Sequence, residues 1–144
     1  MQHITKYREL STSTGKVYLS IYYDEQNNWI YNNWVGYVTP ENVKQGSLAV
    51  LEAFKTYKTP FGLNDNTELV GRWDQSVDWI AQEWMPKAVE AGLRCYALVV
   101  DKEAFAAASA LEMQNRAEGQ FTMRLFEHIT EAKEWLHSCA QKNS

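Results

Sequence analysis

The side chains of this protein that could do chemistry are few, and each group also has a structural reading. Asp65, Asn66 and Thr67 lie in the stretch NDNTELVGRWD, between a short apolar run and a tryptophan-bearing segment. If they open a helix, its free amides make a site there that an anion or a partner can approach. The same residues can also form an Asx-type turn that satisfies its own backbone. Asp74 and Asp78 are one helical turn apart, so both carboxylates share a face. That spacing suits acid/base work, and it equally suits the positive end of a helix dipole. Arg72 can pair with either acid or with a ligand anion. His3, His128 and His137 are too dispersed for a metal site, and the two cysteines lack metal-ligand spacing. His128, between Glu127 and Glu131, is the one histidine in an acidic setting. No G-x-S-x-G, P-loop or G-x-G-x-x-G pattern occurs, so no catalytic residue is assigned and no metal or cofactor is expected.

Binding is better supported than catalysis. Six Trp, eight Tyr and five Phe exceed what a core of this size needs, and Trp and Tyr favour interfaces and apolar pockets. The candidates are Trp29, Trp34, Trp73, Trp79 and Trp84. Trp29 and Trp34 have opposite parity along a strand, so a regular strand cannot turn both to one core. Trp79 lies off the inner stripe of its helix. At least two large aromatics are therefore expected on a surface or in a cleft, unless a loop or the amino-terminal segment covers them. Burying each against a partner would contribute about 1.5 to 3 kcal/mol.

These residues need a frame. A chain of 144 residues with 45% hydrophobic and 22% charged residues fits one compact domain with its own core. A net charge of −4 argues against a nucleic-acid partner. No run approaches the roughly 18 apolar residues of a membrane span, and MQHITKYREL lacks the apolar centre of a signal peptide, so a cytoplasmic protein is expected. Cys95 and Cys139 are too few for a disulfide framework and are expected to be reduced thiols.

Residues 1–15, ending in STSTG, read as a tail, and 16–144 as the domain. KVYLSIYY alternates as a strand, Asp24 to Asn28 turn the chain, and Trp29 to Val35 return antiparallel. Thr39-Pro40-Glu41 starts a helix that runs to Tyr57, and Pro60 stops it. Phe61 to Asn64 is a third strand and Asn64 to Gly71 a turn. A helix from Asp74 or Ser76 to Ala91 follows, with Pro86 bending it near Gln82. LRCYALVV is apolar on both faces, as in a strand covered on both sides. A helix over 102–116, an edge-type strand QFTMRLF and a helix over 130–141 complete the order. The result is a single α/β domain, ββαβαβαβα, with a mixed sheet of about five strands and helices on both faces.

From Lys16 to Gln141 this order, with the NDNTELVGRWD segment, the W-x-x-x-x-M-P run into AGLRCYALVV and the closing FEHITEAKEWL, resembles the STAS domain, in particular the SpoIIAA-like small bacterial proteins. The resemblance implies a non-enzymatic module. In members of the anti-sigma-antagonist type, a Ser or Thr at the start of the helix after the third strand is phosphorylated to switch partner binding. Here that position falls within Asn64, Asp65, Asn66 and Thr67, and the Asp-Ser-Ser/Thr-Gly pattern is absent. Other SpoIIAA-like proteins look more like binders of apolar or lipid-like ligands. Two functions follow as expectations. One is a regulatory module that binds a protein partner or itself, as a homodimer, through exposed aromatics. The other is a carrier or sensor of a small apolar ligand. An enzyme built from Asp65, Asp74 and His128 stands third.

Overall fold

A computed structural model describes residues 3–101 and 106–142. Six strands form one sheet in sequential order: β1 (Ile4–Ser11), β2 (Val17–Asp24), β3 (Trp29–Gly36), β4 (Phe61–Leu69), β5 (Cys95–Val99) and β6 (Thr122–Phe126). β1, β2 and β3 pair antiparallel, and β3 to β6 pair parallel. The single α/β domain and its mixed sheet are those the sequence implies, with one strand more.

The extra strand corrects the expected tail at 1–15. ITKYRELS is almost wholly exposed, so it carries no alternating apolar signal. It is held by its backbone ladder to β2, while Tyr7 and Leu10 pack against the core. A charged strand of this kind suits a sheet edge, where it discourages pairing with other chains.

Local chemistry sets the first connections. Asn28 adopts a left-handed φ of 56°, and the Asp24 carboxylate accepts from the Asn27 N–H at 3.0 Å, which closes the β2–β3 hairpin. Helix α1 (Pro40–Tyr57) begins in a reciprocal capping box between Thr39 and Asn42, with Pro40 in the first turn. It ends where Lys58 turns left-handed at φ 52°.

Strand β4 departs from expectation. The turn-forming residues Asn64, Asp65 and Asn66 continue the strand as far as Leu69, paired with β3 from Ile30↔Gly62 to Gly36↔Leu69. Pairing on both flanks overrides their local preference for turns.

Helix α2 spans residues 74–90. It is a short 3₁₀ turn (Asp74–Ser76), an α turn (Val77–Trp79), a π turn (Ile80–Trp84) and an α segment (Met85–Glu90). Pro86 is the cause. Its ring would clash with the carbonyl of Gln82 in a regular helix, and the wider turn, in which the Met85 N–H reaches Ile80 O, relieves this. α3 (Ala106–Ala117) follows β5, and α4 (Ile129–Lys142) follows β6. The start of the helix expected from Lys102 lies at 102–105, outside the described residues.

Each parallel crossover steps to the next strand in the same direction. Right-handed connections therefore put α1, α2 and α3 on one face of the sheet. Their core includes Leu19, Ile30, Phe54, Trp84 and Leu98. α4 covers the other face over β4 to β6, burying Leu63, Ala97, Val99 and Leu136. Because both faces are covered, both parities of β3 find a core: Trp34 under the three helices and Trp29 under α4. Cys95 and Cys139 are thiols buried together at the α4 seam. Burial and the neighbouring Cys139 push the Cys95 thiol up to about 12.

Candidate ligand-binding site

The parities of β3, β4 and β5 bring polar side chains together in the middle of an apolar face. Asn32 Nδ2 donates to the Tyr96 hydroxyl at 3.3 Å, and that hydroxyl donates to Asn64 Oδ1 at 3.0 Å. Trp34 Nε1 donates to the same Asn64 oxygen at 3.0 Å, and Asn64 Nδ2 donates to Asn66 Oδ1 at 2.8 Å. All five residues are buried. Burial pushes the Tyr96 phenol above its usual range, so it remains a donor at any physiological pH.

Two glycines make room for the rings. A Cβ on Gly62 would stand 2.4 Å from the Tyr96 ring and 2.8 Å from Phe54. A Cβ on Gly46 of α1 would stand 2.4 Å from the Trp34 ring. The chain thus places residues without side chains where its largest side chains must lie.

The third wall is α2. Its π turn directs Trp84 inward, where Nε1 donates to the Ser47 carbonyl of α1 at 2.6 Å and the ring lies 5.8 Å from that of Tyr96. Trp73, just before α2, is tied through its backbone N–H to Ser109 Oγ of α3 at 2.9 Å. Ser109 in turn donates to Asp74. Between these elements remains a cavity of about 40 Å³, walled by Trp34, Trp73, Trp84 and Tyr96 with Asn64 and Asn66. Val43, Val50, Leu69, Ile80 and Met113 complete most of its apolar lining, and among the described residues no charged one reaches it. By the measure on which a single water needs roughly 10 to 15 Å³, the space admits a few atoms. Among the described residues, two buried side-chain polar atoms have no hydrogen-bond partner, Trp73 Nε1 and Asn32 Oδ1.

The structure gathers Trp34, Trp73 and Trp84 from the five tryptophans and sends the other two elsewhere. Trp29 stacks on His137 on the opposite face, with ring centres 5.3 Å apart. Trp79 is half-buried on the outer side of α2, with Lys44 Nζ 5.9 Å from its ring centre. Asp65 points away from the cavity and accepts from the Tyr31 hydroxyl at 3.0 Å. Its other oxygen accepts from both the N–H and the hydroxyl of Thr67. Thr67 therefore sits in a strand with its hydroxyl engaged, and the expected helix start with open amides is not found there. The helix begins seven residues later, at Asp74.

Asp74 pairs with Arg72 at 2.8 Å, and Asp78 with Arg116 at 2.7 Å. The Ser109 hydroxyl and Arg72 together hold the Asp74 carboxyl below its usual range. Neither acid bonds to His128, so Asp65, Asp74 and His128 do not assemble. Among the described residues no group of three His, Cys, Asp or Glu side chains could hold a metal ion. Sequence reasoning missed Tyr96, Ser47, Gly46 and Gly62. The signal for Tyr96 is a tyrosine in an otherwise aliphatic strand, and that for Gly62 is its place beside it in the next strand.

A sequential six-stranded mixed sheet, with three crossover helices on one face and a terminal helix on the other, is a SpoIIAA-like fold. Its likeness to a solved structure agrees. An uncharacterized protein of the DUF3478 family with a SpoIIAA-like fold, from Shewanella loihica PV-4, superposes with a TM-score of 0.51 over 94% of this chain and 95% of that one, at 19% identity. At that identity the likeness carries the fold alone. No protein-family model matches this sequence, and no curated protein matches it either. Among the described residues, no helix is long and apolar enough to cross a membrane.

Proposed function

We propose that this chain is a non-enzymatic SpoIIAA-like binding module that carries or senses a small, largely apolar molecule in the cavity between α2 and the sheet. The observation that supports it is an aromatic-walled space with no charged side chain among the described residues, where three of the five candidate tryptophans meet. Pockets of this composition, apolar with a few fixed polar groups, suit small ligands. Native mass spectrometry on protein gently purified from its own cells, then on the same sample denatured, tests the reading. Extra mass that disappears on denaturation is the expected outcome. An empty cavity in such material would overturn it.

A second reading, a module that binds a protein partner or itself, is favoured by one feature of the surface. Tyr37 is 75% exposed, and Trp79 is partly exposed on the outer side of α2. Here Trp79→Ala is expected to weaken assembly, read by sedimentation velocity, while the circular dichroism spectrum stays unchanged. Loss of the fold in that variant would make Trp79 a core residue and remove it from any interface.

A further inference from the structure

The polar atoms around the cavity divide unevenly into those already used and those left over. Asn64 Oδ1 accepts from both Trp34 Nε1 and Tyr96, and Asn66 Oδ1 accepts from Asn64 Nδ2. Trp84 Nε1 is spent on the Ser47 carbonyl. Among the described residues of the wall, the Trp73 Nε1–H is buried without an acceptor, the Nδ2 hydrogens of Asn66 stand outside the network, and the Ser47 hydroxyl can donate or accept; the other unpartnered atom, Asn32 Oδ1, is not part of the wall. The first two are donors. A buried donor left unmade costs about 1 to 3 kcal/mol, so a ligand that supplies an acceptor recovers what the empty site forfeits.

Size narrows the class further. The inner space of about 40 Å³ takes only a head group, but a second cleft of about 230 Å³ adjoins it, sharing Trp73 and Val38 as walls and lined otherwise by Pro40, Arg72, Asp74, Gln75 and Ser76. A charged head would lose its hydration without gaining a counter-charge, since among the described residues no ionisable acid or base lines the inner space except Tyr96, whose phenol burial keeps protonated.

Resting on the pocket reading above, we infer that the ligand is an uncharged molecule whose carbonyl-type oxygen accepts from Trp73 Nε1 and Asn66 Nδ2 in the inner space, with the rest of the molecule extending toward the more polar outer cleft. The inner space selects acceptors and rejects ions of either sign.

The test uses four probes on one ring: cyclopentanone, cyclopentane, cyclopentylammonium and cyclopentanecarboxylate. Each is titrated to the same concentration into uniformly ¹⁵N-labelled full-length protein. The indole N–H signals are assigned by Trp34→Phe, Trp73→Phe and Trp84→Phe. Cyclopentanone is expected to move the Trp73 indole proton downfield, saturably, and to bind more tightly than cyclopentane by about fivefold, the worth of one neutral hydrogen bond. That preference should collapse in Trp73→Phe. If cyclopentane binds as tightly as the ketone, if either ion binds best, or if the Trp73 signal stays still while the ketone binds, the pocket stands and the acceptor assignment falls. If none of the four moves any of the three indole signals, the pocket reading falls with it. Should Trp73→Phe fail to fold, the ranking of the four probes on the wild-type chain still decides.

Discussion

Gly62 is the residue on which the site depends most directly. With a methyl there, the Tyr96 ring must move, and Phe54 blocks the other direction. Gly62→Ala is expected to destabilise the fold by about 1 to 3 kcal/mol, the usual cost of overpacking a tight core. A urea titration would read it as a lower midpoint, and an unchanged midpoint would mean that the ring has room to yield. Tyr96 and Tyr31 carry a pH dependence of defined sign. Burial raises both phenols above the ordinary 10.0, and for Tyr31 the Asp65 carboxylate adds to the shift. The folded state then holds these protons more tightly than the unfolded chain does. Their contribution is complete below pH 10 and is lost as pH rises above it toward the folded values. Stability should be flat with respect to these two groups from neutrality to pH 10 and fall beyond it. Tyrosinate absorbance for both should appear only together with unfolding.

At the level of the element, the helix starts and stops were legible because they are local. Thr39, Pro40 and Asn42 encode the start of α1 within four residues, and the structure shows both bonds of the capping box. Thr39→Ala is expected to cost about 1 kcal/mol, within the range for a lost N-cap, measured as a shift in the thermal midpoint. Pro86 likewise announces a break in α2, and the π turn lies just before it. Strand β4 was legible only in part. Asn, Asp and Asn in succession are turn formers by local preference, and nothing nearby in sequence says that β3 and β5 will pair with them. The Asn64 and Asp65 side chains are bonded across 30 residues or more of chain, through Trp34, Tyr96 and Tyr31, and Asn66 is held by Asn64.

For the whole molecule, the sheet edge at β1 is the feature with the clearest consequence. β1 shields β2, and Arg8 reaches Glu52 of α1 at 3.2 Å, an exposed pair that itself adds little. Removing residues 1–13 would leave the more apolar β2 as the edge, with Leu19 and Ile21 on its core face. The truncated chain is expected to melt at lower temperature and to self-associate, read by light scattering against the intact protein. A monomeric truncation with unchanged melting would show β1 to be dispensable.

The sequence by itself determined the alternation of strands and helices, the hairpin at Asn28, the ends of α1, the bend at Pro86 and the α/β class with its SpoIIAA-like resemblance. All of these rest on periodicity, or on side chains acting on their own backbone within a few residues. Only the tertiary structure decided which tryptophans share a site. Trp29 and Trp34 differ in strand parity, but whether either faces solvent depends on what covers each face, and that is fixed by the run of crossovers and by where α4 docks. It also decided that Asn64 and Asn66 are buried acceptors rather than a turn, and that two glycines 16 residues apart clear the space for Trp34 and Tyr96. Such pairings are made by packing between distant segments, and no local preference of the chain encodes them.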